Sequence, residues 1–217
     1  MSYSSLWGIK SDYVGEELAE YKNSWLFTPI IIGILPDKYI PEEIATPYGY
    51  KKSIIGMGGD DIWRKTNEKI NHCENTPDRI CWEMSNQQIF FTKDKKCIAD
   101  NIRKFVEQNK EYDRTDEGNY PLKQEHIIER FNEIAADIEE LDEAEYPYFT
   151  LKNTSCDDGV KRWFSGDYNE ETEEYEEKSL KDWDEFLAEF VVIEDGKIAR
   201  FINNTDYEYE SEGKDNE

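Results

Sequence analysis

The longest regular pattern in this sequence is an apolar stripe that follows Pro121. Proline suits the first turn of a helix, and the apolar residues after it recur mostly at intervals of three or four. They are Leu122, Ile127, Phe131, Ile134, Ile138 and Leu141. This spacing predicts a long amphipathic helix whose apolar face needs a second layer of structure to pack against.

The opposite face of this predicted helix is acidic. It carries a carboxylate at every third or fourth position: Glu125, Glu129, Glu133, Asp137 and Glu140. Side chains at this spacing lie about 5–6 Å apart on a helix surface. The sequence therefore predicts a negatively charged ridge opposite the apolar stripe, and these five residues are predicted to bind a partner.

Acidic residues are concentrated in the second half of the chain. The chain has 50 acidic and 26 basic residues, a formal charge of -24. Residues 1–120 contain 20 acidic and 16 basic residues (-4), whereas residues 121–217 contain 30 and 10 (-20). A field this one-sided repels nucleic acid and anionic membranes and attracts cationic surfaces. Solubility alone is the competing explanation for a high net charge.

Three further segments have helical spacing. One begins at the cap Asp94 and ends near Asn109, one begins at Gly59, and a short one begins at Ser179. Their inward-facing residues are Ile98, Ile102, Phe105 and Val106 in the first, Ile62, Thr66 and Ile70 in the second, and Leu180, Trp183, Phe186 and Leu187 in the third. With the helix after Pro121, this gives four predicted helices.

Strand patterns dominate the end of the chain. Residues 189–194 and 197–202 predict a β-hairpin, because the Asp195–Gly196 pair between them readily supplies the positive φ angles of a type I′ turn. Further strands are predicted at 87–92 and 146–151, with an edge strand at 5–9.

These elements together predict an α+β fold, in which an antiparallel or mixed β-sheet packs with about four helices and ends in a C-terminal β-hairpin. No internal repeat or flexible linker divides the chain. We therefore expect a single domain over residues 1–204, with a near-neutral half (1–120) and a strongly acidic half (121–204). The acidic tail, residues 205–217, is expected to be disordered.

The sequence has no targeting or membrane signal. The N-terminus lacks a basic and an apolar region, and the apolar run 29–36 is far shorter than the roughly 20 residues of a membrane span. A cytoplasmic protein without membrane contact is expected. The four cysteines form no Cys-x-x-Cys pair, so buried thiols are predicted.

Motifs for catalysis, cofactors or metals are weak. The glycine-rich segment 56–59 is followed by Asp60 and Asp61, which would repel phosphate. His126 and Glu129 are three residues apart, but in the reverse order to the Glu-x-x-His of di-metal bundles. The chain has only two histidines, His72 and His126, to activate a nucleophile. We expect no cofactor, no metal and no catalytic residue.

The segment 166–177 contains seven acidic residues and no basic one. We predict a mobile loop here that contacts a partner, with Tyr168 and Tyr175 as its aromatic contact points. The predicted binding residues in this segment are Glu170, Glu171, Glu173, Glu174, Tyr175, Glu176 and Glu177.

These features favour a non-enzymatic inhibitor that imitates the charge of nucleic acid and occludes the cationic surface of a basic nucleic-acid-binding protein, such as a nuclease or a CRISPR effector. Phage anti-restriction and anti-CRISPR inhibitors use this physics, and the likeness to them is in charge and size only. Two alternatives stay open: an immunity protein against a toxin nuclease, and an enzyme with an unrecognised active site. Direct binding of nucleic acid is not expected. The lysines near 93–104 are expected to pair with the acidic half, within the chain or across a homodimer.

Overall fold

The computed structural model describes residues 3–22, 27–47, 54, 59–111, 122, 124–154, 163–182 and 188–203. The helices in this part of the chain are α1 (Thr28–Tyr39), α2 (Pro41–Ile44), α3 (Gly59–Asn71), α4 (Thr76–Ser85), α5 (Lys95–Asn109) and α6 (Glu125–Glu140). The strands are β1 (Tyr3–Ile9), β2 (Gly15–Lys22), β3 (Ile89–Phe91), β4 (Tyr148–Thr154), β5 (Ser165–Asn169), β6 (Glu174–Glu177), β7 (Glu189–Glu194) and β8 (Lys197–Asn203).

Six strands form one mixed sheet in the order β2-β1-β4-β3-β7-β8. Neighbouring strands are antiparallel except β3 and β7, which are parallel. Strands β5 and β6 form a separate antiparallel hairpin. The predicted α+β fold with a C-terminal β-hairpin is therefore confirmed, with six helices in the described residues instead of about four.

Both faces of the six-stranded sheet are covered by apolar side chains. Because successive side chains of a strand point to opposite faces, adjacent residues enter different cores. Leu6 and Phe149 pack on the face covered by the helices, which we call the helical face. Trp7 and Tyr148 pack on the opposite face, together with Phe164. This double burial explains the nearly continuous apolar runs in β3 and β7.

Helix α3 begins at the predicted Gly59, and α5 matches its predicted limits. Helix α6 begins at Glu125, later than predicted, so Leu122 precedes the helix and Leu141 is its C-cap. The inner residues of α6 are fully buried on the helical face, and the Phe131 ring lies 4.6 Å from Phe27 and 6.0 Å from Phe105, measured between ring centroids. Pro121 lies outside the described residues. Of the short helix predicted from Ser179, residues Leu180–Asp182 form one 3₁₀ turn, and 183–187 also lie outside.

The C-terminal hairpin β7–β8 is confirmed, including its turn. Asp195 and Gly196 have φ angles of 49° and 74°, as a type I′ turn requires. A β-bulge between Val192 and Ile193 shifts the register of the pair within the hairpin.

The prediction that residues 5–9 form an edge strand was wrong. Strand β1 pairs with β2 on one side and β4 on the other, and β2 is the edge strand. The sequence of β2 does not show the alternation of apolar and polar residues typical of a strand, because only one of its side chains, Tyr21, is fully buried. An edge strand rich in glutamate also resists pairing with another sheet.

The prediction of a mobile loop at 166–177 was also wrong, because this segment folds as the hairpin β5–β6. Tyr168 pairs with Tyr175 across the two strands. In the turn, the side-chain oxygen of Asn169 accepts hydrogen bonds from the backbone N–H groups of Glu171 (2.9 Å) and Thr172 (3.3 Å). Asn169 therefore satisfies two backbone donors that a loop would leave to solvent.

None of the helices in the described part of the chain combines the length and apolar character that crossing a bilayer requires. The tail 205–217 and Cys156 lie outside the described residues. Of the other cysteines, Cys81 is buried, while Cys73 and Cys97 are partly exposed free thiols.

Candidate interaction surface

The β5–β6 hairpin is the most exposed acidic element that the structure describes. Its acidic residues are all exposed and none forms an ion pair with another described residue. They are Asp167, Glu170, Glu171, Glu173, Glu174, Glu176 and Glu177. Six of them belong to the predicted binding residues, so the fold leaves the charge of this segment open to solvent.

Two tyrosines stand among these carboxylates. Tyr168 is 49% exposed and Tyr175 is 63% exposed, and their rings meet edge to face with 5.1 Å between centroids. Exposed aromatic rings surrounded by charge are typical of residues that dominate the energy of protein interfaces. The hairpin thus combines charge with a preorganised aromatic contact.

The base of the hairpin is anchored to the six-stranded sheet. Phe164 is buried and stacks on Trp7, with 5.0 Å between ring centroids, and its carbonyl accepts a hydrogen bond of 2.9 Å from the N–H of Lys178. A Cβ atom at Gly15 would lie 2.4 Å from the Phe164 ring, so glycine is needed for this contact. The hairpin therefore begins beside the edge strand β2.

The acidic ridge of α6 is only partly free. Glu125, Glu129 and Glu140 are exposed and have no ion-pair partner among the described residues. Glu133 pairs with Arg130 (Oε2 to Nη1, 2.5 Å), and Asp137 accepts a hydrogen bond of 2.8 Å from the hydroxyl of Tyr21. Part of the ridge therefore serves to attach α6 to strand β2.

The Tyr21 phenol in this attachment stays protonated. Burial, the hydrogen bond to Asp137 and the charge of that carboxylate all raise the pKa of the phenol. The guanidinium of Arg130 lies over the Tyr21 ring, 5.4 Å from its centroid, and donates to the carbonyl of Lys22 at 3.2 Å. The phenol therefore stays neutral and remains a donor to Asp137.

The two elements that carry the predicted acids are anchored on opposite faces of the six-stranded sheet. Helix α6 packs on the helical face, whereas Phe164 at the base of the hairpin packs on the other. Strand β2 contacts both and adds three exposed carboxylates, Glu16, Glu17 and Glu20. These three belong to the near-neutral half and were not predicted as binding residues. Only the sheet order, which places β2 at the edge, identifies them.

Basic residues of α5 contact α6 within the chain. Arg103 pairs with Glu139 (Nη2 to Oε2, 2.6 Å), and the ammonium of Lys95 donates to the backbone carbonyl of Leu141. In the basic segment near 93–104, the described ion pair with the acidic half is thus made by Arg103, whereas Lys95 contacts a backbone carbonyl. Glu139 is neutralised by this contact, unlike the hairpin carboxylates.

A second polar cluster joins α1, α4 and the turn between α3 and α4. The buried Asp78 accepts hydrogen bonds from Lys38 Nζ (2.5 Å) and the Tyr39 hydroxyl (2.6 Å), and this hydroxyl lies 3.3 Å from Cys73 Sγ. Burial and the contact with Asp78 raise the pKa of Tyr39. The phenol therefore acts as a donor to the buried carboxylate, and the cluster connects α1 to α4 and to the turn before α4.

The described contacts of this cluster include neither histidine. His72 directly follows α3 and is exposed, and its Nδ1 lies 2.7 Å from the carbonyl of Glu68 in that helix. His126 and Glu129 are both exposed on α6. Among the described residues, no three His, Cys, Asp or Glu side chains are grouped so that they could hold a metal ion.

Comparison of the chain with models of protein families, with curated proteins and with solved structures found no match. The function is therefore inferred from the surface itself. The described structure offers three acidic elements around one sheet edge: the α6 ridge, strand β2 and the β5–β6 hairpin.

Proposed function

We propose that this protein is a non-enzymatic inhibitor that occupies the cationic nucleic-acid-binding surface of a basic partner protein in the cytoplasm. The observation that supports this best is the β5–β6 hairpin, whose seven carboxylates are exposed and unpaired within the described structure. Such a surface presents to a partner the charge that a nucleic acid would present.

The charge density of the hairpin approaches that of DNA. Its paired strands are five and four residues long, so with the turn the hairpin extends roughly 20 Å at the rise of a β-strand. Seven carboxylates over that length correspond to about one charge per 3 Å, compared with about 1.7 Å of helix axis per phosphate in duplex DNA. A groove lined with Lys and Arg can therefore bind the hairpin in place of duplex DNA.

The hairpin is a better candidate for the main contact than the α6 ridge. Two of the five ridge carboxylates, Glu133 and Asp137, already use one oxygen to bind a protein partner, so they offer fewer free acceptors to a cationic protein. The hairpin carboxylates have no ion-pair partner among the described residues. Its tyrosine pair adds aromatic area that is buried at little conformational cost.

Neutralising four hairpin carboxylates tests this proposal. In one variant, Glu170, Glu171, Glu173 and Glu174 are replaced by glutamine. The immobilised chain is used to capture proteins from a bacterial lysate, and the captured protein is bound to a fluorescent DNA duplex. Adding wild-type chain is expected to displace the duplex, with an affinity that falls as salt rises. The variant should be weaker by roughly tenfold to a hundredfold.

A matched variant removes the same charge elsewhere: Glu42→Gln, Asp60→Asn, Glu68→Gln and Glu74→Gln. All four positions are exposed and lie away from the hairpin, so displacement should stay within about threefold of wild type. Equal losses in both variants, or displacement that does not depend on salt, would refute occlusion by the hairpin. A captured toxin nuclease would identify an immunity protein acting through the same surface.

A further inference from the structure

A groove of about 320 Å³ opens between strand β2 and the C-terminal end of α6. Its lining combines apolar and acidic side chains. Leu6 and Leu141 are buried, and Leu18 is 36% exposed. The carboxylates are those of Asp137, Glu140 and Asp142.

The wall of this groove depends on a β-bulge and a glycine. Leu6 pairs with Ala19 and Trp7 with Glu17, so Leu18 is the extra residue of the bulge and its side chain is exposed. A Cβ atom on Gly8 would lie 2.5 Å from the ring of Tyr146 and 2.8 Å from Leu18. Glycine therefore allows Tyr146 and Leu18 to form one continuous wall.

The groove has an acidic lining, and the described cations beside it, Lys10 and Lys95, already have acceptors. Lys10 pairs with Glu16 (3.1 Å), which also accepts a hydrogen bond of 3.0 Å from the Tyr146 hydroxyl. Lys95 reaches the Leu141 carbonyl from α5. Asp137, Glu140 and Asp142 have no ion-pair partner among the described residues. The C-terminal end of α6 adds the negative end of the helix dipole.

We propose that this groove receives an arginine side chain of the partner, an inference that rests on the proposed function. The methylene groups of arginine would lie along Leu18 and Leu141, and the guanidinium would reach the carboxylates. Asp137 and Glu140 are three residues apart on α6, about 5–6 Å between Cβ atoms, and a planar guanidinium with five donors can contact both. Because the Tyr21 hydroxyl donates to Asp137 Oδ2, the guanidinium would contact Oδ1 and leave that hydrogen bond in place. A lysine ammonium is a point charge and matches such a pair less well.

Titration of the ¹⁵N-labelled full chain with acetyl-arginine amide tests this inference. Backbone shifts are expected at Leu18, Ala19 and Leu141, with a Kd of about 10 mM. Acetyl-citrulline amide, the neutral isostere, should bind at least fivefold more weakly. A double variant, Glu140→Gln with Asp142→Asn, should weaken arginine binding at least threefold. Asparagine at 142 retains the oxygen that accepts from the N–H of Ala144 at 2.9 Å.

The hairpin variant with four glutamines is the matched control, and it should bind the arginine amide as wild type does. Equal shifts with citrulline, or unchanged affinity in the groove variant, would overturn the inference. If the groove variant still displaces DNA from the captured protein while the hairpin variant does not, the groove inference fails and the proposed function stands. If no cationic protein is captured at all, the proposed function fails, and the arginine titration still decides whether the groove binds.

Discussion

Replacing Phe131 with alanine is expected to lower the free energy of unfolding by about 4 kcal/mol. The side chain is fully buried and packs against the rings of Phe27 and Phe105. Alanine would leave a cavity on the inner face of α6, where the surrounding side chains can relax only in part. Urea unfolding followed by tryptophan fluorescence measures the loss as a lower midpoint.

Asn132 provides the control on the same helix. It is exposed on α6, so its replacement by alanine should change the free energy of unfolding by less than about 0.5 kcal/mol. A Phe131→Ala loss of under about 1 kcal/mol would contradict the packing of α6 against the sheet. The α6 ridge would then not be a fixed surface, and its carboxylates would not hold a constant place beside β2.

Replacing Glu83 with glutamine is expected to stabilise the protein increasingly as pH rises. Glu83 is almost fully buried in α4, and burial, reinforced by the nearby Glu189 carboxylate and opposed by Arg79, raises its pKa to about 8. The folded state therefore binds a proton more tightly than the unfolded state, whose carboxyl has an ordinary pKa near 4.5. The folding free energy contributed by this group is lost as pH rises from about 4.5 to about 8.

Urea unfolding of wild type and Glu83→Gln at pH 5.5, 7.0 and 8.5 measures this effect. The difference in unfolding free energy should grow in favour of the variant, by roughly 2 to 4 kcal/mol between the lowest and highest pH. In the control Glu189→Gln, a neighbouring charge is removed, the pKa of Glu83 falls and the pH dependence becomes shallower. Parallel stability curves for wild type and Glu83→Gln would show that this carboxyl is ionised in the folded protein.

The part of the fold predicted from sequence consists of elements with one solvated face. Helices α3, α5 and α6 alternate apolar and polar sides, so their periodicity is visible without any contact information. The hairpin β7–β8 depends on the local turn chemistry of Asp195–Gly196. In each case the information lies within a short segment of the chain.

The elements that were not predicted from the sequence, α1, α4 and β2, lack a clear contrast between an apolar and a polar face. Helix α1 is apolar on most sides and contains Pro36, so its residues do not show a helical period. Helix α4 is buried almost all round, from Pro77 to Ser85. Strand β2 is the opposite case, because its exposed glutamates obscure the alternation of a strand. These elements are stabilised by neighbours that are distant in the chain, and a local pattern cannot report such neighbours.

The candidate surface also has features that the sequence predicts and features that depend on the tertiary structure. The sequence alone determined the excess of negative charge, its concentration after residue 121 and the amphipathic character of α6, because counts and periodicity depend only on the order of residues. The tertiary structure decided which carboxylates are available: Glu133, Asp137 and Glu139 have partners, whereas the acids of the β5–β6 hairpin do not. It also brought the glutamates of β2 to the sheet edge between the two acidic groups. Ion pairing and burial arise between residues far apart in the chain, so only the folded arrangement distinguishes a free carboxylate from a neutralised one.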